Sequence, residues 1–339
     1  MRHKTLLIST LVVGILALIL LQSKSSSPTP IPPKTALVPA ELLKNAQRLE
    51  IKANNRSTTV EKNAEGEWTV KERFGLPADV ENRLRPLIQS LQNAESLGVL
   101  TSNPKRLSKL GLEDSTLTFT PAEGKPFVLE IGKTTDDGVG SAVRLQGEAI
   151  ALRSNFTGYL DSDPSSWINP LLYSRSDLEI KSLTFIFSDG QATFTRPEPK
   201  VPFRGKEAAL LEDLSRTLSA LRISDAVEKN NPETQTAFKQ SREVKIEFWD
   251  GTIIKTIWGT IEPADKNQLP KVFVRATHSI ANHPLNQLNA KADFICASWI
   301  ADQIPTSLVD LKKRVEPPPE PSAPTELEAV PLPQNPPKP

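Results

Sequence analysis

Several groupings in this chain have residue types that could do chemistry, and each fails a test of spacing. Gly132-Lys133-Thr134 ends like a phosphate-binding loop, in which backbone N–H groups and a lysine cradle an anion. That motif needs a glycine five residues earlier, where Phe127 stands, and the lead-in Phe127 to Ile131 reads as a strand. Asp161-Ser162-Asp163-Pro164-Ser165 opens with the alternating oxygen ligands of a calcium loop, but Ser166 replaces the turn glycine and Leu172 the closing glutamate. A helix cap ahead of Trp167 is the expectation there. Asp136-Asp137-Gly138 reads as a solvated acidic turn.

The histidines are His3, His278 and His283. His3 belongs to a basic N-terminal flank. The other two stand five apart with Pro284 directly after, so no helix sets both on one face as a zinc site requires. No Gly-x-Ser-x-Gly elbow accompanies them. The single cysteine, Cys296, lies in the apolar run Phe294-Ile295-Cys296-Ala297 and reads as a small buried hydrophobe. An intramolecular disulfide and a cysteine metal cluster are excluded. A chain with so few imidazoles and one shielded thiol is a poor prospect for acid–base or nucleophilic catalysis. The expectation is therefore no catalytic residue, no metal site, no cofactor and no enzyme. Lys plus Arg (41) balances Asp plus Glu (40), and no nucleic-acid partner is expected.

The 339 residues suffice for two domains of ordinary size. Arg2, His3 and Lys4 precede an uncharged, Leu- and Ile-rich stretch, Thr5 to Ser23. As a helix it spans roughly 28 Å, close to the hydrocarbon thickness of a bilayer. The basic flank places residues 1–4 in the cytoplasm and the bulk of the chain outside, as a single-pass protein of a bacterial cytoplasmic membrane facing the periplasm. A cleaved signal peptide is the rival reading. Leu18 to Gln22 offers no small-x-small pair, so a retained anchor is expected. Residues 24–45 form a Ser- and Pro-rich linker, and 313–339 a Pro-rich tail that packs no core.

Between these ends the pattern occurs twice. Leu84, Leu87 and Leu91 match Leu211, Leu214 and Leu218 at an offset of 127, and Leu117, Gly124 and Gly132 match Val244, Gly251 and Gly259. Val143-Arg144 meets Val274-Arg275 at an offset of 131, and Trp167 meets Trp299 at 132, a drift that fits a short insertion between Gly259 and Val272. Short alternating runs at Leu49 to Ile51, Thr58 to Val60 and Trp68 to Val70 predict a meander of antiparallel strands. Val80, Leu84, Leu87, Ile88 and Leu91 form a helical stripe opened by Asp79, which Pro86 should kink or start late. The second stripe, Leu211, Leu214, Leu218 and Leu221, is uninterrupted. Glu123-Gly124 and Asp250-Gly251 predict hairpins, and each unit should close with a strand and a helical segment carrying its tryptophan. The fold class expected is α+β: two tandem similar modules, 46–175 and 176–312, each an antiparallel sheet covered by helices, after a transmembrane helix at 5–23. Arg144, Arg275, Trp167 and Trp299 are the candidate lining of a binding seam between the modules. The plainer expectations are solvated strand faces for the arginines and core plugs for the tryptophans.

Gly66-Glu67-Trp68-Thr69-Val70, Pro77-Ala78-Asp79, Leu110-Gly111-Leu112-Glu113, Leu129-Glu130-Ile131-Gly132-Lys133 and Val143-Arg144-Leu145 follow one another in the first unit. In that order they resemble the bacterial domain-of-unknown-function family numbered four-three-four-zero, found in membrane-anchored proteins. The second unit lacks a Leu-Gly-Leu element before Val244 and a Pro-Ala-Asp opening to its helix. The resemblance implies an accessory or scaffold role beside gliding-motility-type ABC transport systems and implies no reaction. The function expected is a membrane-anchored accessory protein, inserted through Thr5 to Ser23, that binds partner proteins of an envelope complex. The alternatives are an envelope-polymer hydrolase using Asp136, Asp161 or Asp163 in a site between modules, and a passive spacer.

Overall fold

The computed structural model describes residues 35–135, 138–158, 160–265 and 267–315. The span Thr5 to Ser23, Asp136 and the tail from 316 onward lie outside the described residues. Among those described, no helix is long and apolar enough to cross a membrane. The chain is a mixed α+β protein with antiparallel sheets, and it divides into two compact units, Met1–Ile168 and Asn169–Pro339.

Unit 1 carries β1 (Thr35–Ala36), α1 (Ala40–Asn45), β2 (Ala46–Ala53), β3 (Arg56–Lys62), β4 (Trp68–Val70), β5 (Leu76–Pro77), α2 (Arg85–Gln92) and β6 (Glu95–Thr101). α3 (Pro104–Leu107), β7 (Ser115–Pro121), β8 (Phe127–Thr134), β9 (Ser141–Leu145) and β10 (Ala151–Ser154) complete it. All its strands join one antiparallel sheet in the order β1-β6-β10-β9-β8-β7-β2-β3-β4-β5. The period-two alternation decides which face is buried. Ile51 opposes Leu117, which opposes Leu129, and Ile131 opposes Val143. All five are buried, and they define an inner face. Their neighbours Glu130, Gly132, Ala142 and Arg144 point to the second face.

The Pro86 expectation resolves into a specific device. Proline has no N–H to give to the carbonyl four residues back. The chain widens into a π-helical turn at Val80–Leu84, in which Leu84 N–H reaches Asp79 O at 3.1 Å, and α2 begins just ahead of Pro86. Asp79 accepts from Asn82 N–H as the cap. Leu84, Leu87 and Leu91 are all buried.

Unit 2 carries β11 (Leu171–Ser174), β12 (Ile180–Phe187), β13 (Gly190–Thr195), α4 (Ala208–Ser219), β14 (Ala220–Arg222), β15 (Asp225–Glu228) and α5 (Pro232–Ala237). It continues with β16 (Arg242–Phe248), β17 (Ile253–Ile261), β18 (Lys271–His278), α6 (Pro284–Lys291), β19 (Ala292–Cys296), α7 (Ser298–Gln303) and α8 (Leu308–Val315). Its main sheet is ordered β13-β12-β16-β17-β18-β19-β15, and β11 pairs with β14 alone. Read from the other edge, β15-β19-β18-β17-β16-β12-β13 repeats the unit 1 order β6-β10-β9-β8-β7-β2-β3 strand for strand. The stripe expected to run to Leu221 stops at Ser219. Leu221 is buried, but in β14, where it pairs with Tyr173.

Two strand glycines hold the same place in both sheets. A Cβ on Gly132 of β8 would collide with the Leu110 carbonyl oxygen, which accepts Lys133 N–H at 2.8 Å. A Cβ on Gly259 of β17 would lie 2.7 Å from the Ala237 carbonyl. In each unit the segment after the helical turn at 104–107 or 232–237 lies directly on sheet backbone, as only glycine permits. Gly132→Ala and Gly259→Ala should each cost about 2–3 kcal/mol by overpacking. Gly66→Ala, in an open turn at φ 84°, should cost about 1 kcal/mol. Urea unfolding of the three variants checks this, and an unchanged midpoint for Gly132→Ala contradicts the carbonyl approach.

Candidate functional site

The second face of unit 1 is only partly covered. Leu112, Ala142 and Ala151 form a small cluster there, packed by Leu100, Leu107 and Leu110. Beside it opens a cavity of about 430 Å³, lined by Pro104, Leu107, Ser108, Gly111, Leu112, Glu113, Asp114, Lys133 and Arg144. That volume falls within the range of small-ligand and peptide-anchor pockets.

Arg144 forms its wall. Its Nε donates to Glu130 Oε2 at 2.5 Å, across the β8–β9 register pair, and the Glu130 side chain is 10% exposed. A carboxylate this deep is tolerable because a guanidinium meets it. The Nη groups of Arg144 make no hydrogen bond among the described residues; Glu113, itself 89% exposed, approaches Nη2 only to 3.9 Å. Lys133 Nζ has no ion pair among the described residues. The one hydroxyl on the cavity wall, Ser108 Oγ, donates to Lys105 O.

Arg275, at the corresponding place on β18, is enclosed. Its Nε and Nη2 donate to Asp293 at 2.7 and 3.0 Å, and Nη2 donates to Asn230 Oδ1 at 2.8 Å. The Phe238 ring covers the guanidinium at 4.1 Å. Asp293 is fully buried. Burial pushes its carboxyl up, but hydrogen bonds from Arg275, Lys229, Thr234 and Asn230 N–H prevail and hold it below the ordinary range. The acid is supplied from β19 here and from β8 in unit 1. Neither arginine lies on a solvated strand face, which corrects the plainer expectation: each is ion-paired to a buried acid. Sequence position could not show this, because the acids come from different strands.

The tryptophans diverge. Trp167 is buried and donates Nε1–H to Asp161 O at 2.7 Å, as a core plug should. Trp299, on α7, is 58% exposed, and its neighbour Ile300 is buried instead. The matched spacing that suggested two plugs arises from compensation. Unit 2 inserts α6 before its last strand, while unit 1 places residues 155–166 between its last strand and Trp167. The strands β10 and β19 went unrecognised in the sequence, and with them the true alignment.

The carboxylates of the hydrolase alternative have structural partners. Asp163 accepts from Ser165 N–H and Oγ as a cap, and pairs with Arg56 and Arg73. The Ser165 N–H, then those cations, hold it below its ordinary value despite partial burial. Asp161 accepts Asp163 N–H. Among the described residues no group of three or more His, Cys, Asp or Glu is arranged to hold a metal. The Cys296 thiol is pushed up to about 12 by burial, which leaves it protonated and inert.

One pairing was missed. His278 and His283 share no helix face, yet a loop pinned by Asn286 stacks their rings at 3.9 Å and 5°. Each accepts a backbone N–H at Nδ1, from Ile280 and Leu285. Protonating either nitrogen would break such a bond.

The family described as Domain of unknown function (DUF4340) matches residues 68–241, more than half of the chain. The chain belongs to that family. The match opens in β4 and ends just ahead of β16, so it takes in the helical and cavity-forming part of unit 1 and the first half of unit 2. Three of the motifs by which the chain resembles the family, at 110–113, 129–133 and 143–145, each send a residue to the cavity wall. Comparisons with curated proteins and with solved structures give no match.

Two outcomes follow. Removing the acid in Asp293→Ala strands Arg275 and Lys229 beside an apolar side chain and should cost roughly 3–5 kcal/mol in urea unfolding. The imidazole of His278 is lowered from its ordinary value by burial, then by the charges of His283 and Arg175, against an opposing pull from Asp250. The fold therefore favours neutral His278. Its contribution is complete above the unfolded value near 6.5 and is lost as pH falls below it toward the lowered folded value. The urea midpoint should drop between pH 7.5 and 5.5, and less so in His278→Asn; equal drops in both proteins refute the assignment.

Proposed function

We propose that this protein is a single-pass, extracytoplasmic accessory protein that holds partner proteins of an envelope or ABC-transport-type membrane complex without catalysing a reaction. Its two units are tandem copies of one α+β module, a reading that the shared seven-strand order and the paired glycines support. The apolar span at 5–23 with its basic flank supplies the anchor. The part of the Ser/Pro-rich linker ahead of Thr35 sets the units off from the bilayer, because residues 35–45, expected as linker, form β1 and α1 with Leu37, Val38 and Leu43 buried.

The observation that carries the reading is the character of the unit 1 cavity. Family motifs line it, its walls combine apolar residues with Lys133, Arg144, Glu113 and Asp114, and no imidazole or thiol is among its described lining residues. A general base must titrate near the working pH, and a nucleophile needs such a base beside it. A lysine with no ion pair among the described residues and an arginine held by Glu130 suit recognition of a polar partner instead.

Mild detergent extraction of the native membrane, followed by affinity purification of the full chain, tests the proposal. Integral-membrane partners should co-purify at defined stoichiometry, and the chain should need detergent for release. Recovery of the protein alone under mild conditions, or its release by salt without detergent, counts against the reading.

A further inference from the structure

The two sheets end differently at the edge where their strand orders part. In unit 1, β3 is followed by β4 and β5, whereas its counterpart β13 is the last strand of the unit 2 sheet. The registers match residue to residue. Leu117 opposes Ile51, which opposes Thr58, and Val244 opposes Phe185, which opposes Ala192. Thr58, Thr59, Val60 and Glu61 therefore correspond to Ala192, Thr193, Phe194 and Thr195. In unit 1 this edge is satisfied: Thr59 N–H donates to Glu72 Oε2 at 2.8 Å, and Glu61 pairs with Thr69 of β4. Thr58 and Val60 are fully buried there. In unit 2, Ala192 and Phe194 are only half-buried, and Gln191, Thr193 and Thr195 are exposed. Arg196 N–H reaches Lys181 O at 2.9 Å, which sets the alternation of the β12–β13 ladder. Phe194 and Ala192 bond β12, while Thr195, Thr193 and Gln191 turn their N–H and C=O groups outward. Among the described residues those outward groups have no partner.

We infer that β13 is an interface between two copies of this chain, paired antiparallel across a two-fold axis at Thr193. That register sets Thr193 against its own copy, Gln191 against Thr195 and Ala192 against Phe194. It is the register that engages every outward-facing residue of both strands, each such pair exchanging both N–H···O bonds. The half-buried Phe194 ring meets the small Ala192 of the other copy, and on the opposite face threonine and glutamine meet with no like charges opposed. This match of large to small in both directions favours a second copy over an unrelated strand. The strand also lacks the devices that keep an edge single. No charge or proline interrupts Gly190–Thr195, and its register with β12 is unbroken by a bulge. The opposite edge, β15, spans only 4 residues and carries Asp225 and Glu228. A two-fold pairing consumes the edge in both copies, so the assembly closes as a dimer. It requires neither the anchor nor the partners proposed above.

Cysteine cross-linking of the full chain, in detergent and in its native membrane, tests the pairing. The native thiol, Cys296, is buried and does not compete. Paired Cα atoms at such positions lie about 5.5 Å apart, within disulfide range. Thr193→Cys should therefore link to its own copy under copper-phenanthroline oxidation. Gln191→Cys stands roughly 13 Å from its own copy and should link only when mixed with Thr195→Cys. Ser57→Cys, exposed on β3 of unit 1, gives the background level. A junction this short is small beside stable interfaces, so the dimer should dissociate on the order of tens of micromolar. Thr193→Lys sets two ammonium groups face to face and should weaken dimerisation about tenfold or more in sedimentation, with an unchanged urea midpoint. Linking of Thr193→Cys no stronger than that of Ser57→Cys overturns the inference, as does equal self-linking by Gln191→Cys or equal dimerisation by Thr193→Lys. A Thr193→Cys disulfide to a different membrane protein, in place of the dimer, assigns the edge to a partner's strand and overturns the second copy.

Discussion

A guanidinium placed on the second face of each sheet must be met by a carboxylate, and much of the local architecture answers that requirement. An unpaired buried charge costs several kcal/mol, whichever sign it has. Unit 1 meets Arg144 from β8 with Glu130, and unit 2 meets Arg275 from β19 with Asp293. The partners flank the arginine strand on opposite sides, so the position is kept while its solution differs. Around each pair the covering segment comes down onto a strand glycine, because only a missing Cβ lets a carbonyl lie flat on the sheet. Where that segment lands decides what roofs the arginine.

Other carboxylates of this chain serve the backbone in the same spirit. Asp163 and Asp79 cap turns, and Glu212 divides its oxygens between Phe203 N–H and the fully buried Arg196. Asp250 is lowered to about 2, chiefly by Thr252 N–H and then by Arg175. An acid held this far down stays ionised at any physiological pH and does not exchange protons near neutrality. Their chemistry is that of fixed hydrogen-bond acceptors. They explain how a chain with long irregular connections keeps its turns in register.

Much of the fold was legible where a local rule speaks. Gly124 and Gly251 mark hairpin turns at positive φ, the leucine stripes mark helices, and alternation marks Trp68–Val70 to the residue. The 127-residue offset of the strand glycines was readable and true, since both glycines answer one steric demand. What escaped was set by tertiary context. β10 and β19 are short, and neither carries a turn signal strong enough to separate it from loop. Without them α6 could not be recognised as an insertion, and Trp299 was aligned with a tryptophan whose burial it does not share. The histidine stack escaped for a related reason: a loop, closed by Asn286, joins residues that no periodic element could. Of the candidate site, Arg144 was named, but the cavity beside it was not, because the absence of a side chain at Gly111 means something only against Phe238.

The two arginine sites differ in what covers them. In unit 2 Phe238 closes the face over Arg275, whereas in unit 1 the corresponding residue is Gly111, whose positive φ turns the chain aside and whose neighbour Asp114 stands where a side chain would begin. A sheet face left partly open must not expose so much apolar surface that the fold fails. Unit 1 gives up one ring's worth of burial, and Arg144 stays neutralised by Glu130 beside it on the same face, so the opening adds no buried unpaired charge. In unit 2 the covering segment itself helps to hold Asp293, through Asn230 N–H and Lys229. Removing that cover would unbalance the ion cluster, which is a physical reason for the open face to lie in unit 1.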